Sequence, residues 1–187
     1  MKLREEHGFG LIELLIAMVV LNIGLLALVA AFQSSAFALR RASHISTAAT
    51  LADTQMELYR GLTYAQIVLD PTLLSAVDNT YKCDSTLGSS CPNSTSTEQT
   101  GSCTGPAEAC NPSRVVTNYG DRYAYRVDTY IVSVTPSNCS TISPLPPAGC
   151  NSPGRLQKKV TVVVRDKARL GKTFARATST FDQTISG

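Results

Sequence analysis

The sequence lacks the motifs of the common enzyme classes. It contains no GxSxG, no HExxH, no P-loop and no GxGxxG. Histidine is scarce, with only His7 and His44 present, and we interpret His44 as a solvated residue of a long helix. Serine and threonine are plentiful, but no general base accompanies them in a recognisable pattern. We therefore expect a protein that is not an enzyme and has no catalytic residues.

Signals for metal and nucleic-acid binding are also missing. No CxxC pair occurs, and both histidines lie far upstream of the cysteines, so the sequence predicts no zinc site and no other metal or cofactor. The net charge is +3, and no run of lysine and arginine alternates with aromatic residues. A nucleic-acid partner is therefore not indicated.

Charge is nearly absent between Phe9 and Phe32, where Glu13 is the only ionisable side chain. This stretch would rise about 36 Å as a helix, which is enough to cross a membrane and too long for a signal peptide. A carboxylate in a membrane helix costs about 2.5 to 3.5 kcal/mol on insertion scales. Glu13 therefore needs either a partner charge or a position from which it snorkels to water. No lysine or arginine follows it before Arg40.

All six cysteines follow the apolar stretch, in sequence rich in serine, threonine, proline, glycine and asparagine. Such usage is typical of disulfides in an oxidising compartment. The sequence does not fix the connectivity, but short separations favour three pairs. These are Cys83 with Cys91, Cys103 with Cys110, and Cys139 with Cys150.

The stretch HGFGLIELLIAMVV, with Gly8, Phe9, Leu11, Ile12 and Glu13 in this order, resembles the prepilin signature of type IV pilins and type II secretion pseudopilins. The resemblance implies that a prepilin peptidase cuts between Gly8 and Phe9 on the cytoplasmic face and N-methylates Phe9. Gly10 departs from the usual threonine. The implied fold is α+β and type IV pilin-like: a long N-terminal helix packed on a C-terminal antiparallel sheet, with disulfide-rich loops.

The resemblance also gives Glu13 a partner. After cleavage the chain begins with the cationic amine of Phe9, at the i, i+4 spacing from Glu13. In the family, the corresponding glutamate is implied to accept the terminal amine of a neighbouring subunit in the fibre and so to fix the axial stagger. The leader then stays cytoplasmic and the remainder lies outside, in agreement with the cysteines.

Helical periodicity continues beyond the apolar stretch. Within that stretch, Asn22 and Gly24 either soften the helix or, for Asn22, allow a bond to a neighbouring helix. We expect the later half to bury one side against a sheet of the same chain, and Pro71 to bar the helix from running much past Leu69. The expected buried stripe comprises Ile45, Ala48, Leu51, Ala52, Met56, Leu58, Tyr59 and Leu62.

Strands are predicted from alternation of apolar and polar residues. Residues 122–136 and 156–166 alternate clearly, residues 172–181 more weakly, and without a crossover helix they should pair antiparallel. One face should carry Tyr123, Tyr125, Val127 and Ile131, with Val160, Val162 and Val164 together on the next strand.

The predicted organisation has four parts. Residues 1–8 form a cleaved leader, 9–32 the transmembrane and assembly half of the helix, and 33–69 its amphipathic half. Residues 70–187 form an extracytoplasmic globular part with a Cys-rich loop at 81–113 and the sheet at 114–187. The loop has few large apolar residues, so we expect it to build no core of its own.

The leading interpretation is a minor subunit of a type IV pilus, with a structural or assembly role in initiation or at the tip and surface recognition as an additional role. The stretches VVLNIGLLAL and LADTQMELYRGLTYAQI resemble the PilV-like pilus modification class. Implied partners are other pilin subunits through the N-terminal helix, the prepilin peptidase, the inner-membrane assembly platform and the membrane itself. The chain would lie in the inner membrane before assembly and in a cell-surface pilus afterwards.

Two other interpretations remain open. One is a type II secretion pseudopilin, although KARLGKTFARATSTFDQTISG has too few acidic groups for the calcium loop that the major pseudopilin commonly carries. The other is a membrane-anchored binding module that never polymerises.

Overall fold

The computed structural model describes residues 10–88, 98–117, 123–134 and 157–183. The chain divides after Ser43 into two compact units. Its long helix α1 spans Leu11–Arg60 and is followed by three short helices, α2 (Pro71–Ser75), α3 (Asn79–Lys82) and α4 (Ala107–Cys110). The strands are β1 (Ser113–Val116), β2 (Tyr125–Val134), β3 (Gln157–Asp166) and β4 (Thr173–Asp182), and two 3₁₀ turns lie at Tyr64–Gln66 and Ser85–Leu87. This is the α+β, pilin-like fold that the sequence predicts.

The four strands form one antiparallel sheet in the order β1-β2-β3-β4. The register sets Val127 opposite Val164 and Ile131 opposite Val160, so the predicted apolar faces of β2 and β3 coincide. The prediction for β2, β3 and β4 is confirmed. β1 was not predicted as a separate strand, because four residues are too few to show alternation.

The second half of α1 covers this apolar face. Its buried residues are Ala48, Leu51, Ala52, Gln55, Met56 and Tyr59. They join the valines of β3 and the apolar residues of β2 in one core cluster. The predicted stripe is therefore confirmed in the main. Ile45 is an exception at 41% exposed, and the polar Gln55 is fully buried.

The prediction for the end of α1 was wrong. The helix ends at Arg60, well before Leu69. Gly61 follows, and its N–H donates to the Glu57 carbonyl at 3.2 Å. Glycine has a low helix propensity, about 1 kcal/mol less favourable than alanine, so Gly61 is a suitable residue to follow the end of the helix.

Pro71 begins a new helix instead of limiting the first one. Asp70 is the N-cap of α2, and its carboxylate accepts the N–H groups of Thr72 at 2.7 Å and Leu73 at 3.2 Å. Proline suits the first helical position because its missing N–H would have no partner there. The sequence DPTLL, residues 70–74, is thus a signal for the start of a helix.

The face of the sheet opposite α1 carries buried charges. Asp128 on β2 is fully buried, and its two carboxylate oxygens accept the Nε–H groups of Arg126 at 2.7 Å and Arg165 at 3.0 Å. Arg165 also pairs with Asp84, and Arg126 with Asp78. Alternating carboxylates and guanidiniums thus run Asp78, Arg126, Asp128, Arg165, Asp84 and Arg176, a set that we call the Asp–Arg series.

Residues 71–88 lie over this charged face. Tyr81 stacks on Tyr130 with ring centroids 4.3 Å apart, and its hydroxyl donates to the Thr129 carbonyl at 2.6 Å. Tyr81, Leu87, Tyr130 and Val163 form a second apolar cluster. Two large residues at the beginning of the predicted Cys-rich loop, Tyr81 and Leu87, thus belong to a cluster that they share with the sheet.

We predict that Asp128→Asn is strongly destabilising. The substitution leaves Arg126 and Arg165 buried without their shared carboxylate, and breaking a buried charge pair costs about 3 to 5 kcal/mol. Urea unfolding of the full chain in detergent, followed by near-ultraviolet circular dichroism of its tyrosines, measures the change. Asp53→Asn, on the exposed side of α1, is the matched control and should stay within about 0.5 kcal/mol of the parent. A loss as small as the control's would mean that Asp128 is dispensable.

We also predict acid sensitivity that originates in the Asp–Arg series. The hydrogen bond from Arg126 lowers the pKa of Asp78 to about 2. Burial would raise the pKa of Asp84, but hydrogen bonds from Arg176 and Thr86 outweigh it and lower the pKa to about 2. Groups with a depressed folded pKa stabilise the fold above their ordinary pKa of 3.8 and lose that effect as the pH falls toward 2. The urea concentration at the midpoint of unfolding should therefore fall as the pH is lowered from 3.8 toward 2, and it should fall less steeply in Asp84→Asn.

Candidate subunit-assembly site

Glu13 lies in the first turn of α1. Its own N–H and that of Leu14 donate to the Gly10 carbonyl at 2.9 and 3.3 Å, which closes the turn. A carboxylate at this end is favoured by the helix dipole, whose positive end is the N-terminus. Gly8 and Phe9, the predicted cleavage and methylation residues, lie outside the described residues.

No cation lies near Glu13 on its own helix. Its neighbours one turn onward are Ile16 and Ala17, and the next ionisable residue along the sequence is Arg40, about 40 Å away along a helix axis. One turn backward stands Phe9, whose amine is free only after cleavage. Within its own chain, the terminal amine is therefore the nearest group that could neutralise Glu13.

The first part of α1 presents apolar side chains all round. Leu11 is 86% exposed and Phe32 is 74% exposed, and the large apolar residues between them are exposed as well. By length and composition this helix can cross a membrane. An exposed apolar surface of this extent marks a membrane or protein contact.

Asn22 and Gly24 do not interrupt the helix. The Asn22 amide donates to the Met18 carbonyl at 2.8 Å, so the helix itself satisfies this donor. A Cβ at Gly24 would meet nothing within 4 Å. The softening expected here is not seen in this structure, and the side-chain oxygen of Asn22 remains available for a neighbouring helix.

A disulfide loop is fixed to the second half of α1. Cys103 and Cys110 form the bond that their short separation predicts. The Tyr59 hydroxyl donates to the Ala109 carbonyl at 2.6 Å, and Gln55 donates to the Glu108 carbonyl at 2.9 Å. Burial raises the pKa of Tyr59 to about 12, so the hydroxyl stays a donor. α1 thereby holds the loop by main-chain contacts.

The remaining cysteine predictions fall mainly on other parts of the chain. Cys83 is disulfide-bonded. Cys91, Cys139 and Cys150 lie outside the described residues, so the pairs Cys83–Cys91 and Cys139–Cys150 stay predictions.

The interpretation of His44 as a solvated residue was wrong. Its ring is half-buried, its Nδ1 lies 3.1 Å from the Tyr125 hydroxyl, and its centroid lies 4.3 Å from that of Tyr123. Phe174 of β4 completes this aromatic group. Residues far apart in sequence come together here, which local helical periodicity does not show.

Comparison with known proteins singles out the same N-terminal segment. Residues 3–29 match the family model of the prokaryotic N-terminal methylation motif. This segment includes Gly8, Phe9 and Glu13, and the match supports a type IV pilin or pseudopilin-like protein that is processed by a prepilin peptidase. No curated protein and no solved structure gives a significant match to the chain.

Proposed function

We propose that this chain is a minor subunit of a type IV pilus, of the PilV-like class, which takes part in assembly at initiation or at the tip. The observation that carries the proposal is Glu13. It is the lone ionisable residue of the apolar stretch between Phe9 and Phe32, and it stands four residues beyond the residue that processing would make the N-terminus.

Processing is the first step. Cleavage between Gly8 and Phe9 removes a polar leader and creates an amine at Phe9, which remains cationic after methylation. The same cut leaves Glu13 in the first turn of the mature helix. One reaction thus creates a cation close in sequence to a carboxylate that the chain already carries, at one end of an otherwise apolar segment.

The membrane is the second environment. Before assembly, the exposed apolar part of α1 lies in the inner membrane with the leader in the cytoplasm. The part of the chain that carries the cysteines lies outside, where disulfides form. Within one subunit, Glu13 and the Phe9 amine are close enough in sequence to meet.

On assembly, Glu13 exchanges the Phe9 amine of its own subunit for that of a neighbouring subunit. When apolar helices leave the bilayer and pack side by side, each carboxylate must remain paired, because a buried unpaired charge costs several kcal/mol. The terminal amine of a neighbouring subunit satisfies Glu13 only at one axial offset between the two helices. The pair thereby selects the stagger of the fibre, while the apolar surfaces supply most of the contact area.

A plain membrane anchor explains Glu13 less well. An anchor gains nothing from a carboxylate within its apolar segment, because the insertion cost of such a group rises with depth toward about 2.5 to 3.5 kcal/mol at the membrane centre. The pseudopilin alternative shares the same helix chemistry, and the two differ in where the subunit ends up. The location of the processed chain therefore distinguishes them: sheared surface fibres for a pilin, a periplasmic piston for a pseudopilin.

We predict that Glu13→Gln is made, inserted and cleaved normally but becomes scarce in sheared fibres. Each incorporated variant would leave a neighbour's amine unpaired in an apolar fibre core, at about 3 to 5 kcal/mol. Quantitative mass spectrometry of sheared fibres and of membranes measures both pools. If the subunit acts at initiation, the number of fibres falls as well.

The matched control is Glu108→Gln, which removes one negative charge from an exposed residue of α4. It should enter fibres at the parent level. Two results together would exclude pairing as the role of Glu13. The Glu13→Gln variant would enter fibres at the parent level, and the N-terminal helix of the parent chain would give no crosslink to another subunit.

A separate prediction tests processing. Gly8→Val should leave full-length precursor in the inner membrane, because a side chain before the scissile bond must fit a site shaped for glycine. The parent should yield a peptide that begins at Phe9 with one additional methyl group. Normal maturation of Gly8→Val would contradict the processing step on which the assembly role depends.

A further inference from the structure

Two exposed apolar side chains of the globular part meet in one cleft. After Ser43, the described large apolar residues that are exposed are Ile45, Leu73 and Val115, and the last two are 43% and 49% exposed. Leu73 and Val115 both line a cleft of about 300 Å³ between α2 and the start of the sheet. Its other lining residues are Ala76, Val77, Asp78, Asn111, Ser113, Arg126 and Lys167.

β1 forms one edge of the described sheet, beside this cleft. The Thr129 N–H donates to the Pro112 carbonyl at 2.8 Å, which makes Pro112 and Thr129 a hydrogen-bonded pair. Such pairs alternate along an antiparallel ladder, so Arg114 and Val116 point their peptide groups toward β2. Val115 therefore points its N–H and C=O away from β2, and its side chain lies in the cleft.

Two side-chain groups of the cleft have no partner among the described residues, the Lys167 ammonium and the Asn111 amide N–H groups, and both are donors. The Asn111 side-chain oxygen already accepts the Ser113 N–H at 3.0 Å, and the Asp78 carboxylate is taken by Arg126. Among the described residues, none forms an ion pair with the Lys167 ammonium or accepts a hydrogen bond from the Asn111 amide. Since Asp78 and Arg126 neutralise each other, Lys167 leaves the cleft with one positive charge.

We propose that this cleft and the β1 edge bind an extended acidic segment of a partner protein. The segment would add a strand beside β1, bonding the outward N–H and C=O of Val115. One apolar side chain would lie between Leu73 and Val115, and a carboxylate would bind Lys167. Strand addition of this kind takes its affinity from main-chain bonds and its specificity from side-chain pockets.

The size of the cleft favours a segment over a free small molecule. A volume of about 300 Å³ is at the lower limit of small-molecule pockets, which reach about 1,000 Å³. It accommodates one or two side chains of a strand whose backbone remains outside. This role is independent of the assembly proposal, because Glu13 and the apolar part of α1 take no part in it.

The test uses the full chain in lipid nanodiscs and a fluorescent capped octapeptide that alternates threonine with valine or isoleucine and carries one central glutamate. A second peptide carries lysine in place of the glutamate, and a third and a fourth carry N-methyl groups on the two alternating sets of peptide nitrogens. Fluorescence anisotropy, with empty nanodiscs as the blank, measures binding. The variants are Lys167→Glu and, as the control with the same charge change, Lys159→Glu at an exposed position of β3.

We expect the parent and Lys159→Glu to bind the glutamate peptide at least tenfold more tightly than the lysine peptide. Lys167→Glu should lose or reverse that preference, and N-methylation that blocks the paired edge should abolish binding. Equal affinity for the two charges, an unchanged preference in Lys167→Glu, or undiminished binding of both N-methyl registers would overturn the proposal. Concentration-dependent dimerisation that Val115→Lys abolishes would assign the cleft to a second copy of the chain and overturn it as well.

Discussion

The globular part depends on the ion pairs that the Asp128 carboxylate forms with Arg126 and Arg165. This carboxylate is fully buried between two arginines of the same sheet face, and through them it reaches Asp78 and Asp84 on the segment that covers this face. Among the described residues, the face against α1 has the larger apolar core, whereas the opposite face has a small cluster around Tyr81 and Leu87. Ion pairs of fixed geometry, together with Tyr81 and Leu87, therefore hold residues 71–88 on this face. We infer that the ion pairs define position more than they add net stability, because the cost of desolvating the charges offsets much of their attraction.

α1 has two different tasks along its length, and its sequence changes accordingly. From Leu11 to Phe32 it is apolar all round, which suits a lipid or an assembly of like helices. From Ala48 to Tyr59 only one side is apolar, and that side covers the sheet. Two polar groups of this second half, Gln55 and Tyr59, hold the main chain of the disulfide loop. The loop is thus held by the second half of the helix whose first half is the apolar stretch.

Local periodicity was sufficient to predict the long helix and the apolar faces of β2 and β3, whereas the candidate assembly residues came from the resemblance of the N-terminus to the prepilin signature. Periodicity failed where a feature depends on distant residues. The burial of Arg126, Asp128 and Arg165 requires the cover of residues 71–88, which their own strands do not reveal. His44 is half-buried because β2 and β4 bring aromatic rings beside it. The end of α1 was different, since Gly61 and the DPTLL start signal were both available in the sequence, and the error lay in giving Pro71 the role of a helix stop.

Asp128 and Glu13 have the same physical requirement, a partner for a carboxylate, and meet it in different ways. Each is a carboxylate in an environment that disfavours charge, and each must have a cation or water. Asp128 finds two arginines within its own chain.

Glu13 has only apolar neighbours one turn onward, and no cation follows it on the sequence before Arg40. Its partner must come from water at the membrane surface or from an N-terminal amine. Water satisfies Glu13 only while the helix remains at that surface, and helices packed into a fibre exclude it. In the proposed fibre the amine is the remaining partner. A helix that begins at Phe9 rises about 6 Å before it reaches Glu13, so the amine of one subunit meets the carboxylate of another only when the two helices are offset along their axes.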